Sequence, residues 1–162
     1  MTRQRAAILG DLEREVAVMV RRIRRVIADR ARSVHPDLAP SSYLMLTFVA
    51  ERGPMRASEI AEQFEIDKGA ISRQVAHLTD LALLGRVSDP EDGRAMLVSV
   101  SDEGRRRLAD VALRRREWLD ERLGDWSEAD LAGFVDALGR YNRALDAQVM
   151  IETSAPELIN GG

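Results

Sequence analysis

The sequence predicts a mainly α fold interrupted once by a small β-hairpin, and three observations in the chain predict it. Through most of its 162 residues apolar side chains recur at three- and four-residue spacing, the pattern of helices with one buried face. That pattern gives way to alternation after Leu83 and Leu84: Arg86-Val87-Ser88 leads into Asp89-Pro90-Glu91-Asp92-Gly93-Arg94, and Met96, Val98 and Val100 return on one face. Between residues 57 and 104 the segments run as two short helices, a tight connection and the charged hairpin. This is the order of a winged helix-turn-helix.

The first helix runs from about Arg5 to Arg32, and in it Leu12, Val16, Met19, Ile23 and Val26 alternate spacings of four and three, as in a coiled-coil seam. A helix this long needs a partner to bury that stripe. The arginines at 21, 22, 24 and 25 read as a solvated face or as partners for Glu13 and Glu15. From Ala57 to Phe64, Ile60, Ala61 and Phe64 share one side and leave Glu59 and Glu62 outward. Residues 65 to 68 bring the chain round to Asp67, whose carboxylate can accept from the free amides of a new helix.

That helix spans about Lys68 to Leu81 with a core stripe of Ile71, Val75 and Leu78. At about 100° per residue, Gly69, Arg73, Ala76 and His77 point nearly opposite the stripe, with Ser72 and Gln74 on its flanks. Arg, Gln and Ser are the side chains that pair with guanine, adenine and either base in a major groove. In an isolated helix the same face is a solvated surface; the neighbouring segments favour base reading. In the hairpin Pro90 and Gly93 bend the chain, and Asp92 and Arg94 form either a surface ion pair or a carrier of arginine into the adjacent minor groove.

Ser101 is a plausible N-cap for a helix from Asp102 to about Leu123, which carries Leu108, Val111, Trp118 and Leu119. Arg105 to Arg107 lie just beyond the wing and are placed to approach a phosphate, whereas Arg114 to Arg116 read as a solvated face or as partners for Asp110 and Glu117. The last helix, Ser127 to about Met150, opens on Ser127 and Asp130 as a box-like cap and shows Leu131, Phe134, Val135, Leu138, Tyr141 and Leu145.

The chain resembles the MarR family (multiple antibiotic resistance regulators) of winged-helix transcription factors. The resemblance is carried by Leu38-Ala39-Pro40-Ser41 opening a helix and Glu51-Arg52-Gly53-Pro54 closing it, then Ser58-Glu59-Ile60-Ala61 and Ile71-Ser72-Arg73. It continues through Asp89 to Ala95 and Val98 to Gly104, and covers roughly Leu12 to Leu145. It implies a single domain over 1–162, with a winged helix-turn-helix at 38–104, dimerisation helices at 5–35 and 105–150, and a tail at 151–162. It further implies a homodimer on a pseudo-palindromic operator, acting as a repressor and released by a small aromatic or amphipathic effector. The expected contacts to double-stranded DNA are Lys68, Gly69, Ser72, Arg73, Gln74, His77, Arg86, Asp92 and Arg94. The family's ligand pocket lies between the dimerisation helices and the winged helix, so Met19, His35, Tyr43, Met45 and Trp118 are the expected lining.

Three departures stand out. Gly69 and Ala70 replace common hydroxyl residues, Ala82 stands where a glycine ends the reading helix, and Arg56 takes the place of a capping Thr or Ser. A left-handed C-cap favours glycine, so the turn into the wing is expected to be built differently.

The formal net charge is -3, so positive charge has to be arranged rather than abundant: Lys68, Arg73, Arg86 and Arg94 on one surface, with weak nonspecific binding to DNA. There is no cysteine, which excludes disulfides and thiolate redox sensing. No signal-peptide pattern and no apolar run of membrane-spanning length is present, and a cytoplasmic protein without membrane contact is expected. His35 and His77 have no metal-ligand spacing, and no phosphate-binding glycine loop or Gly-x-Ser-x-Gly elbow occurs, so neither catalysis nor a cofactor or metal is expected. Two readings remain: a ligand-responsive DNA-binding regulator, and a protein-interaction module that kept the winged fold and lost DNA binding.

Overall fold

A computed structural model describes residues 1–152, with side chains through Leu145. The elements are α1 (Arg3–Val34), α2 (Pro40–Arg52), α3 (Ala57–Phe64), α4 (Lys68–Asp80), β1 (Leu84–Ser88), β2 (Met96–Val100), α5 (Asp102–Arg122) and α6 (Glu128–Glu152). The chain divides into two compact units, one up to Arg115 and one from Arg116. The tail expected from 151 lies, beyond Glu152, outside the described residues.

In the first unit the core is assembled from the stripes that the helical spacing singles out. Ile60 and Ala61 of α3 and Ile71, Val75 and Leu78 of α4 are buried together with Met45, Leu46 and Val49 of α2. Proline at the first position of α2 loses nothing there, because that amide has no helical partner. Between α3 and α4, Glu65 takes the left-handed conformation, and Asp67 then caps α4 by accepting from the Ala70 N–H at 2.9 Å.

At the end of α4 the structure corrects an expectation. Ala82 adopts φ 56°, the left-handed turn a glycine would make, so the connection into β1 is built in the usual way with an alanine in it. The N–H of Ala82 donates to the Thr79 carbonyl (2.9 Å) and that of Leu83 to Leu78 (2.9 Å), which holds the turn. The Ser101 hydroxyl also donates to the Ala82 carbonyl at 2.6 Å while accepting from the Gly104 N–H at 2.9 Å, capping α5 as expected. Gly104 is required by proximity: a Cβ there would stand 2.3 Å from the Leu83 carbonyl oxygen.

Strands β1 and β2 pair antiparallel, Leu84 with Val100 and Arg86 with Val98. Val98 and Val100 are buried, while Met96 on the same face is 47% exposed because its strand has by then run out past the core toward the tip. A third strand, absent from the expectation, is a single bridge. The Met55 N–H donates to Val98 (3.1 Å) and the Val98 N–H to Met55 (2.8 Å), so the hairpin is stitched to the chain just before α3.

Helix α1 buries only Ala31 and Val34 fully; Leu12 and Ile23 of its seam stay exposed, as do Ile8, Leu9 and Val20. In the second unit α6 opens on the reciprocal pair foreseen in the sequence. The Ser127 hydroxyl donates to Asp130 Oδ2 at 2.6 Å and accepts from the Asp130 N–H at 3.2 Å. Trp126 meets Phe134 edge to face at 5.8 Å, and the Arg122 guanidinium stacks over Trp118. Trp118, Trp126, Phe134, Val135 and Leu145 remain exposed.

Candidate nucleic-acid interface

The outward face of α4 carries Lys68, Gly69, Ser72, Arg73 and His77, all exposed. Gln74 is half-buried, and its amide reaches back toward the Ser41 hydroxyl of α2 at 3.5 Å, a weak contact that leaves it free to turn. A Cβ on Gly69 would lie 3.0 Å from Asp67 Oδ1 and 3.5 Å from the Arg73 guanidinium. The glycine therefore gives clearance where a hydroxyl residue would give a donor, and Arg73 lies back over the helix start.

The wing loop is held by its own backbone and by its acids. The Asp89 N–H donates to the Ala95 carbonyl at 3.0 Å, and the Ala95 N–H to Asp92 at 2.8 Å. Asp92, expected among the DNA contacts, turns its carboxylate inward and accepts the Arg94 N–H at 3.1 Å. This is an Asx turn, so Asp92 shapes the tip, and a carboxylate so placed has no reason to approach a phosphate. The Arg94 side chain is exposed and forms no ion pair with Asp92.

Some acids of the winged segment are engaged by internal donors, while the exposed carboxylates of Glu62, Glu65, Asp80 and Glu91 have no such partner among the described residues. Glu59 accepts the Arg56 N–H at 2.6 Å, completing half a capping box. The Arg56 side chain cannot complete the other half, since a guanidinium only donates; it reaches Asp89 instead, Nη2 at 2.7 Å and Nε at 3.2 Å from the same oxygen. Asp89 is 7% exposed, and the hydrogen bond from Arg56 holds its carboxyl below the usual carboxylate range. Glu103 binds Arg106 and Arg107 together, and those two hydrogen bonds lower its pKa to about 2.

Those pairings correct the expectation for the arginines after the wing. Arg105 donates to the Val100 carbonyl (2.6 Å) and to Asp102 (2.7 Å), and Arg106 holds Glu103 and Asp110. Arg107 donates to Glu103 and to the Val34 carbonyl at 3.0 Å, closing the end of α1. All three thus have carboxylates or carbonyls as partners within this chain. By contrast Lys68, Arg73, Arg86 and Arg94 have no carboxylate within ion-pair distance among the described residues. On α1 the same holds for Arg21, Arg22, Arg24 and Arg25, which do not pair with Glu13 or Glu15.

The five expected ligand-lining residues differ in burial and in the unit that carries them. Met45 has no exposed surface and belongs to the core, Tyr43 is buried beside it, and Met19 and His35 are half-buried. His35 Nδ1 accepts the Asp37 N–H at 3.2 Å, and Trp118 lies in the second unit, exposed. An open cleft of about 300 Å³ is lined instead by Phe48, Arg52, Pro54, Met55, Glu59 and Gln63.

Two short helices followed by a hairpin over residues 57–100 give this chain an arrangement that comparison with known proteins also finds. The family model described as MarR family matches residues 37–95. The HTH-type transcriptional regulator YxaD of Bacillus subtilis is 35% identical over 133 residues, covering 82% of this chain and 92% of YxaD. The chain belongs to the MarR family. Solved structures share the fold: a MarR family protein from Bacillus stearothermophilus superposes with a TM-score of 0.69 at 18% identity, covering 90% of this chain and 99% of its own. RV1404 from Mycobacterium tuberculosis does so with 0.70 at 21%, covering 83% and 92%. As a MarR family member the protein is a DNA-binding transcriptional regulator and not an enzyme. No helix among its described residues is long and apolar enough to cross a membrane.

Sequence reasoning missed three features of the site: the Arg56–Asp89 pair, the Met55–Val98 bridge and the Arg107 tie to α1. The one available signal was Arg56 itself, a residue that cannot cap standing in a capping position.

Proposed function

We propose that this MarR family regulator binds a pseudo-palindromic operator as a homodimer, represses from it in the cytoplasm, and is released by a small aromatic or amphipathic effector. What supports the DNA-binding geometry is a set of unpaired cations on the reading helix and wing, in a chain of net charge -3. The acids Asp67, Asp89, Asp92 and Glu103 are occupied by internal donors, whereas Lys68, Arg73, Arg86 and Arg94 are exposed and unpaired among the described residues. Arg73 is placed to read a guanine edge, with Ser72, Gln74 and His77 beside it; Arg94 enters the minor groove; Lys68 and Arg86 meet phosphates together with the α4 amides near Gly69. Asp92 serves that surface by fixing the tip that carries Arg94. Met19, His35 and Tyr43 are the residues of the first unit nearest in kind to an effector site, and the family resemblance is their main support.

Selection of duplexes from a randomised pool by the wild-type protein tests this directly. A single recurrent palindrome is expected, with binding that falls steeply as salt rises. On that duplex Arg73→Ala loses about 1 to 3 kcal/mol and relaxes preference at one position in each half-site, and Arg94→Ala weakens binding and lowers the salt slope by about one unit. Wild-type-like binding by both variants, or no selected duplex, would sink the reading. Small aromatic acids added to the complex then test release.

A further inference from the structure

We infer that Arg56 and Asp89 form a latch that positions the wing, so that Arg94 meets DNA from a fixed loop; the inference rests on the DNA-binding reading above. Arg56 stands directly before α3, its backbone N–H held by Glu59. Its guanidinium crosses to the residue that opens the wing loop, and both Nη2 and Nε donate to Asp89 Oδ2. The second oxygen, Oδ1, accepts the Glu91 N–H at 2.9 Å. One carboxylate thus joins the start of the helix-turn-helix to the first turn of the loop.

That loop needs an anchor. A two-stranded hairpin is marginally stable alone, and the Met55–Val98 bridge fixes the middle of β2 but not the end near the tip. Asp89 closes the loop at its base through its own N–H to Ala95, the residue next to Arg94. Because Asp89 is buried and ionised, removing Arg56 leaves a carboxylate without its counter-charge and cuts the tie between the loop and the start of α3, so the loop is free to move. Binding is then weakened by the fraction of time the loop holds its DNA-competent form. The usual hydroxyl at position 56 would cap α3 and leave Asp89 unlatched, so the departure at Arg56 and the burial of Asp89 belong to one device.

Asp89→Asn separates this role from plain charge. Asparagine keeps the Oδ1 acceptor for Glu91 and loses only the ionic partner of Arg56. If the two residues acted on DNA merely as charges, Arg56→Ala would weaken binding and Asp89→Asn would tighten it. The latch requires both to weaken binding to the duplex selected by the wild type, about tenfold where the competent fraction falls to about one tenth. Arg56→Lys, with one donor bond instead of two, falls between. In an Arg94→Ala background neither substitution changes affinity further, because the latch acts through Arg94. Arg56→Thr restores a cap for α3 and covers the case in which Arg56→Ala fails to fold; circular dichroism checks each variant. Tighter or unchanged binding by Asp89→Asn, or additive losses with Arg94→Ala, overturns the latch. Failure of the DNA-binding reading is distinct: Arg94→Ala alone then binds as the wild type does.

Discussion

At Ala82 an L-residue occupies the left-handed region at φ 56°, with its carbonyl held by Ser101 and its N–H by Thr79. That conformation costs an alanine roughly 1 to 2 kcal/mol, of which glycine would return part as unfolded-chain entropy. Ala82→Gly should therefore raise stability by about 0.5 to 1 kcal/mol, read as a higher urea midpoint; a lower midpoint would show that the turn is not strained. Single residues with a local partner were legible from sequence. Asp67, Ser101 and Ser127 cap helices as their positions imply, since donor and acceptor lie within one turn. Residues whose partners are distant were not. Nothing in spacing announces that Arg56 meets Asp89, or that Arg107 meets the Val34 carbonyl; the pairs of Arg105 and Arg106 with Asp102, Glu103 and Asp110, three or four residues away, were legible in the helical spacing and were passed over.

Among the elements, α5 shows how a charged first turn is made stable. Glu103 holds Arg106 and Arg107 at once, and its pKa lies near 2, well below its ordinary value. A carboxylate depressed in the folded state contributes stability that is complete above its ordinary pKa and is lost as pH falls through the folded value. The expected outcome is an acid limb between pH 4.5 and about 2 in the unfolding curve, shallower in Glu103→Gln, which is also less stable at neutral pH. An unchanged limb in that variant would assign the acid sensitivity elsewhere. The element order, the core stripes of α3 and α4 and the strand pairing were legible because each is a periodicity. The exposure of Met96 was not legible, because alternation tells which face a residue takes and not how far the core extends along the strand.

For the whole molecule, the unburied apolar residues of α1 and α6 set the next test. Ile8, Leu12 and Ile23 on one helix and Phe134 and Val135 on the other stay exposed in a single chain, more apolar surface than a lone subunit usually leaves in water. Sedimentation is expected to show a dimer at micromolar concentration, and Leu12→Asp with Ile23→Asp to give a monomer that no longer holds the palindrome. Half-sites about 10 base pairs apart would then follow from the two-fold axis; a wild-type monomer that binds the full site would refute this. The roles of Met45 and Tyr43 were the least legible part: both belong to the core, and methionine or aromatic spacing looks the same in a core and in a ligand-lining wall. The Met55–Val98 bridge has a consequence for assembly. It closes a loop containing all of α3, α4 and β1, so the entropy of that closure is offset only when those segments are already in place. The hairpin, marginal alone, thus gains its bridge together with the folded helix-turn-helix, and a docked wing goes with an ordered reading helix.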